Sequence, residues 1–172
     1  MERWTIKKFL KELSSKKPTP GGGSISALVG SLAAGLTSMA AKFSGDQKTA
    51  RRAERLMRVL MELIERDAQA FAGGNLGEAT EVPLQTARYS YEVLKLVEFL
   101  LENCNKNLIT DLGVAAKMAE SSIEGALLNV KVNLASIKDE EYKKEILKAV
   151  EKLYLTGYQT RAILSQIKAR LR

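Results

Sequence analysis

Asp67 stands where its segment otherwise calls for an apolar side chain. Ala53, Leu56, Met57, Leu60, Leu63, Ile64, Ala68 and Phe71 recur at the spacing of one helix face. Steps of three or four from Leu60 reach Leu63 or Ile64, then residue 67, then Phe71, while Arg58, Glu62, Arg66 and Gln69 take the outer faces. A carboxyl group facing inward loses water, which favours its neutral form and raises its pKa. Under that condition an aspartic acid becomes a usable proton donor near neutral pH. The same placement would also suit an ion pair with an arginine or a cap on a neighbouring helix.

A second feature is the run Pro18-Thr19-Pro20-Gly21-Gly22-Gly23-Ser24, which opens an uncharged stretch from Gly21 to Ala41. Glycine lets a backbone approach another group closely, and Ser24 is a favourable N-cap. The run predicts a site-forming loop with free N–H groups at a helix start. Behind it, Gly23, Ala27, Gly30, Ala34 and Ser38 leave one helix face nearly bare, fit for close approach of another helix within the chain or across a homodimer. Asn129 and Asn133 share a face with Gly125 and Ser122, as interhelical hydrogen-bonding groups or as a polar wall for a ligand. Asn107, Thr110 and Asp111 gather at another helix start, where Thr110 or Asp111 could cap the helix or all three could hold a polar ligand.

The composition excludes much. The 172 residues include no histidine and one cysteine, Cys104. Ser-His-Asp hydrolysis, histidine-based zinc chemistry and histidine phosphotransfer are thereby removed, as are an intrachain disulfide and a thiolate zinc cluster. No metal site is expected. The glycine run lacks the spacing of a dinucleotide fingerprint and the Gly-Lys-Ser/Thr ending of a phosphate loop. Catalysis must rest on Asp, Glu, Lys, Arg, Tyr, Ser or backbone groups. The formal charge of +7 suits an anionic partner. Its lysines and arginines are scattered, without an aromatic-basic RNA motif, so no nucleic-acid partner is expected. The basic run Lys168 to Arg172 reads as a solvated helix end. The uncharged stretch is too rich in Gly, Ser and Thr for a membrane span and lacks the form of a secretory signal. A cytoplasmic location is the expectation.

Helices must position these groups. Trp4, Ile6, Phe9, Leu10 and Leu13 predict a short first helix, ended by Ser14 to Pro20. The second is expected from Ser24 to about Phe43, and the third from a cap at Asp46 to about Ala72. Gly73 to Gly77 reads as a loop. A fourth helix is expected near Val82, with Pro83 in its first turn, running to about Cys104. A fifth covers about Asp111 to Ile137, and a last long one Glu140 to about Leu171. No segment alternates convincingly with period two. The fold class is therefore all-α, a single-domain antiparallel bundle of about six helices over residues 1–172.

Four features in this order resemble the formiminotetrahydrofolate cyclodeaminase family, which also includes bacterial methenyltetrahydrofolate cyclohydrolases. They are the run from Pro18 to Ala27, the segment Arg66-Asp67-Ala68-Gln69-Ala70-Phe71, Val82-Pro83-Leu84, and Thr110-Asp111-Leu112-Gly113-Val114-Ala115-Ala116-Lys117 followed by Gly125-Ala126 and Asn129-Val130-Lys131-Val132-Asn133-Leu134. The resemblance spans roughly residues 5 to 160. It implies a helical domain that dimerises, binds a reduced folate and places the family's proton donor on Asp67. The implied reaction converts 5-formiminotetrahydrofolate to 5,10-methenyltetrahydrofolate with release of ammonia. Cyclohydrolysis of the methenyl compound is the alternative, and a non-catalytic folate or polyanion binder a third reading. No cofactor beyond the tetrahydrofolate substrate is expected. Gly21, Gly22, Gly23 and Ser24 would shape the pocket, Asn107, Thr110 and Asp111 would fix the pterin or its substituent, and Asn129 and Asn133 would wall it. Lys16, Lys17, Lys42 and Lys106 are candidates for the glutamate tail, polyglutamylated substrates included. In vertebrate relatives the domain follows a formiminotransferase domain, so a separate formiminotransferase is an expected partner. The stretch from Phe71 to Pro83 looks shorter than in many relatives, which would alter any ligand contact from that region.

Overall fold

Thr5, Asp46, Asn75 and Asp139 each turn a side-chain oxygen onto a backbone N–H of the following turn, and each begins a helix. The structure, a computed structural model, describes residues 4–171. Its elements are α1 (Ile6–Leu13), α2 (Gly22–Phe43), α3 (Gln47–Gly73), α4 (Leu76–Asn103), a 3-10 turn (Lys106–Leu108), α5 (Ile109–Leu134), α6 (Glu140–Tyr154) and α7 (Thr156–Arg170). Among the described residues there is no strand, and the all-α bundle expected from the sequence is present. The last residue of the basic C-terminal run, Arg172, lies outside the described residues.

Helix α2 is the axle, packed against α3, α4 and α5. Its bare stripe is used within the chain: Ala27 and Ala34 are wholly buried, and Gly23, Gly30 and Ser38 are buried with them. A Cβ at Gly30 would come within 2.4 Å of the Ser90 Oγ and 2.7 Å of the Ser122 Oγ. Those hydroxyls bond each other at 2.7 Å, and Ser122 donates on to the Ser26 carbonyl at 2.6 Å. The stripe is therefore an intrachain seam and is closed to a dimer partner. By length and composition α2 could cross a membrane, yet most of it is enclosed by the fold.

Three helix starts differ from expectation. Helix α2 begins at Gly22 with Gly21 as its N-cap, so Ser24 is inside the first turn and does not cap it. Helix α4 begins at Leu76, not near Val82, because Gly74 in the left-handed conformation ends α3 and Asn75 caps the next helix. Pro83 consequently sits well inside α4. A proline there withholds a donor from the carbonyl four residues back, that of Ala79, and the Asn133 amide of α5 donates to that carbonyl instead. Thr110 and Asp111 lie within the first turn of α5 and supply no cap, since Leu108 precedes the helix.

The expected last helix is divided at Leu155. The Thr156 hydroxyl donates to the Leu153 carbonyl at 2.7 Å. The buried Glu120 carboxylate, paired with Lys117, lies 3.5 Å from where a Cβ at Gly157 would stand. A carboxylate against the first turn of α7 favours a fresh helix start there.

Helix α1 lies over α2 and α3 without burying any of its own residues. Between them is an apolar cavity of about 800 Å³, lined by Phe9, Leu10, Leu28, Leu32, Met57 and Met61 among others.

Candidate active site

Two register relations place the site. Asp67 of α3 faces Gly23 of α2, and Leu60 faces Gly30, so the two helices run antiparallel. Asn129 of α5 faces Gly22, and Gly125 faces Ser26, so α5 also runs against α2. The start of α2 is thus enclosed by late turns of both neighbours.

The Asp67 carboxyl lies directly on the Gly23 backbone. A Cβ at Gly23 would fall 2.0 Å from its Oδ1 and 2.6 Å from its Cγ, so only glycine fits. The Ser24 hydroxyl donates to Asp67 Oδ2 at 2.8 Å, and the Ser24 backbone N–H bonds the same carboxyl. Both bonds favour the ionised form, as does the partial positive charge of a helix start. Desolvation nevertheless dominates and holds the Asp67 pKa above its ordinary value. Among the described residues no cation pairs with it. Neighbouring Arg66 turns away, to Gln85 at 3.1 Å and Glu78 at 3.0 Å. Asp67 therefore caps α2 from another helix, one of the alternatives left open by its spacing, while keeping a raised proton affinity.

Asn129 completes the wall. Its Nδ2 donates to the Gly125 carbonyl at 2.9 Å and lies 3.6 Å from where a Gly22 Cβ would stand. Asn133, one turn on, is engaged with the Ala79 carbonyl, so the structure gives it a backbone-satisfying role.

The remaining expected residues fall elsewhere in the chain. The Asn105 N–H donates to Ser44 Oγ at 3.0 Å, which ties the start of α5 to the far end of α2. At 1.5 Å per residue, α2 puts roughly 30 Å between that end and Gly22. Within one chain, Asn107, Thr110 and Asp111 share no site with Asp67. Lys42 and Lys106 are at that far end too, Lys42 paired with Glu54 at 2.5 Å. Lys16 and Lys17 precede the glycine run, and Lys17 pairs with Glu12 at 2.5 Å.

Phe71 departs from its expected place in the core stripe: it is 62% exposed. Periodicity placed it on the inner face; only the register of α3 against α2 shows that α2 has not yet begun at that level.

Fold and site together define an all-helical protein with one desolvated carboxyl held at a glycine helix start. Residues 5–74 and 72–152 match the formiminotransferase-cyclodeaminase family. The methenyltetrahydrofolate cyclohydrolase of Methylorubrum extorquens is 33% identical, over 87% of this chain and 88% of that protein. The formimidoyltransferase-cyclodeaminase of Rattus norvegicus is 26% identical over 96% of this chain, which spans 37% of the rat protein. The crystal structure of formiminotetrahydrofolate cyclodeaminase from Thermotoga maritima superposes with a TM-score of 0.84 at 28% identity, covering 99% of this chain and 96% of that one.

The chain belongs to the formiminotransferase-cyclodeaminase family, and it is an enzyme of the folate cyclodeaminase/cyclohydrolase group.

Proposed function

We propose that this chain closes the ring of 5-formiminotetrahydrofolate, giving 5,10-methenyltetrahydrofolate and ammonia. The observation that carries the reading is a lone carboxyl of raised proton affinity, seated on Gly23 and held by Ser24. Folate N10 attacks the protonated formimino carbon, forming the new C–N bond while the C=N pair withdraws onto the amine nitrogen. Asp67 takes the proton from N10 and delivers it to that amine. The C–N bond then breaks, its electron pair leaves with ammonia, and the N5 lone pair completes the methenyl cation. One cation gives another, with no net proton consumed. A carboxyl with a raised pKa is better matched to both transfers than an ordinary aspartate. Once ionised again, it faces the cationic product and stabilises it.

In this reading Gly23 makes room for the Asp67 carboxyl and Asn129 offers its amide oxygen. Leu32, Val114, Leu128 and Val132 are each half or more exposed, which suits burial against a second copy, and a homodimer belongs to the proposal. So do a cytoplasmic location and supply of the substrate by a separate formiminotransferase.

The Methylorubrum relative, matched along nearly its whole length, favours a second reading. There water adds to the methenyl carbon and Asp67 accepts one water proton. Asp67 then returns it to N5 as the C–N5 bond breaks, and the hydroxyl releases its proton to solvent and becomes the formyl C=O of 10-formyltetrahydrofolate. Purified protein supplied separately with each folate, the methenyl absorbance being followed, separates the two. Absorbance growing from the formimino substrate supports ring closure. Decay of methenyl absorbance faster than the spontaneous rate, with no growth in the first assay, supports the hydrolase instead.

A further inference from the structure

Phe71 is one heptad beyond Ile64 and eleven residues beyond Leu60, so it lies within about 20° of each of them around α3. Ile64 is 8% exposed and Leu60 not at all, yet Phe71 is 62% exposed. It points where the core points, but past the end of the core. With Gly23 facing Asp67, the chain opposite Phe71 precedes the first residue of α2. Phe71 is also one turn from Asp67, about 6 Å along the axis and on the same side. An aromatic face is therefore left open beside the carboxyl, at the mouth of the glycine helix start.

The chemistry of the proposed reaction specifies what could lie there. Asp67 must reach the N10 proton, and N10 is bonded directly to the aminobenzoyl ring. With N10 at the carboxyl, that ring is one side-chain width away. It is flat, and aromatic rings pair favourably in offset or edge-on arrangements. The reduced ring of the pterin, which carries N5, is puckered and offers a poorer face.

We propose that Phe71 is a substrate-binding residue whose ring packs against the aminobenzoyl ring of the folate and so sets N10 against Asp67. This rests on the folate reading above, but its test needs no turnover. Binding of 5-formyltetrahydrofolate is measured by calorimetry for wild type, Phe71→Ala, Phe71→Leu and Phe71→Tyr, with a 5-formyltetrahydropterin lacking the aminobenzoyl group as a second probe. Melting curves accompany the series; an exposed side chain should change them little. Phe71→Ala is expected to weaken folate binding roughly tenfold or more. Phe71→Leu should behave like the alanine variant, Phe71→Tyr like wild type, and pterin binding should not respond.

Wild-type folate affinity in Phe71→Ala overturns the inference, as does wild-type affinity in Phe71→Leu, which would reduce the ring to apolar bulk. Loss of self-association in Phe71→Ala with unchanged folate binding would assign the residue to an interface. Equal losses for pterin and folate would move the packing to the other ring and remove the aminobenzoyl assignment. Wild type binding folate through Phe71 but inactive in both assays would sustain this inference and remove the proposed activity.

Discussion

The Ser24 hydroxyl reaches across 43 residues of sequence to donate to Asp67 Oδ2 at 2.8 Å. It joins the first turn of α2 to a late turn of α3 and opposes the desolvation that raises the Asp67 pKa. The carboxyl is thus poised between burial, which favours the proton, and Ser24, which favours the charge.

Removing the hydroxyl should shift that balance. Ser24→Ala takes away a donor to the carboxylate and should raise the Asp67 pKa further. If Asp67 must be ionised to accept the N10 proton, the acidic limb of the kcat profile should move to higher pH. Rates measured from pH 4 to 9 for both proteins check this. An unmoved acidic limb would separate Ser24 from the proton chemistry.

Two glycines distinguish site from scaffold. In Gly23→Ala the new methyl would sit 2.0 Å from Asp67 Oδ1, so the carboxyl must move. In Gly30→Ala it would meet the Ser90 and Ser122 hydroxyls instead. Overpacking of this kind costs about 1–3 kcal/mol, so both variants should melt lower. Only Gly23→Ala should also lose most of its kcat. Equal kcat losses would mean that the carboxyl geometry is immaterial.

This difference marks how much could be read from residue order alone. The helices, the inward carboxyl and the small-residue stripe followed from periodicity, which fixes which face a residue occupies. Periodicity does not give the level at which two helices meet. The pairing of Ser24 with Asp67, the exposure of Phe71 and the distance of Asn107, Thr110 and Asp111 from the glycines all depend on that register. Capping was ambiguous for a related reason: Ser24 and Asn75 are both acceptable N-caps, and only Asn75 is used as one.

Asn133 and Pro83 form a testable pair. Asn133→Ala should leave the Ala79 carbonyl without a partner and lower stability by about 1–3 kcal/mol. Pro83→Ala restores a backbone N–H for the same carbonyl. In that background the penalty of Asn133→Ala should shrink by more than half, a non-additive result in a double-mutant cycle. Strict additivity in urea unfolding would detach Asn133 from the proline.

Asp67 should also leave a signature in stability. Its folded pKa is raised above the ordinary 3.8, so the folded chain holds this proton more tightly than the unfolded chain does. The resulting stabilisation is fully present below about pH 4 and is lost as pH rises through the folded pKa. Asparagine does not titrate. The melting temperature of Asp67→Asn relative to wild type should therefore be more favourable at pH 7 than at pH 4. A difference that stays constant, or reverses, would contradict the raised affinity.

Ammonia release by Asp67→Asn, measured in a single turnover with 5-formiminotetrahydrofolate, tests the proton-transfer role most directly. The variant keeps the shape of the side chain and an acceptor for Ser24, but it cannot carry a proton between N10 and the amine. Release is expected to fall about a hundredfold or more, with folate affinity within a few-fold of wild type. Turnover close to wild type would show that the protons travel by another route.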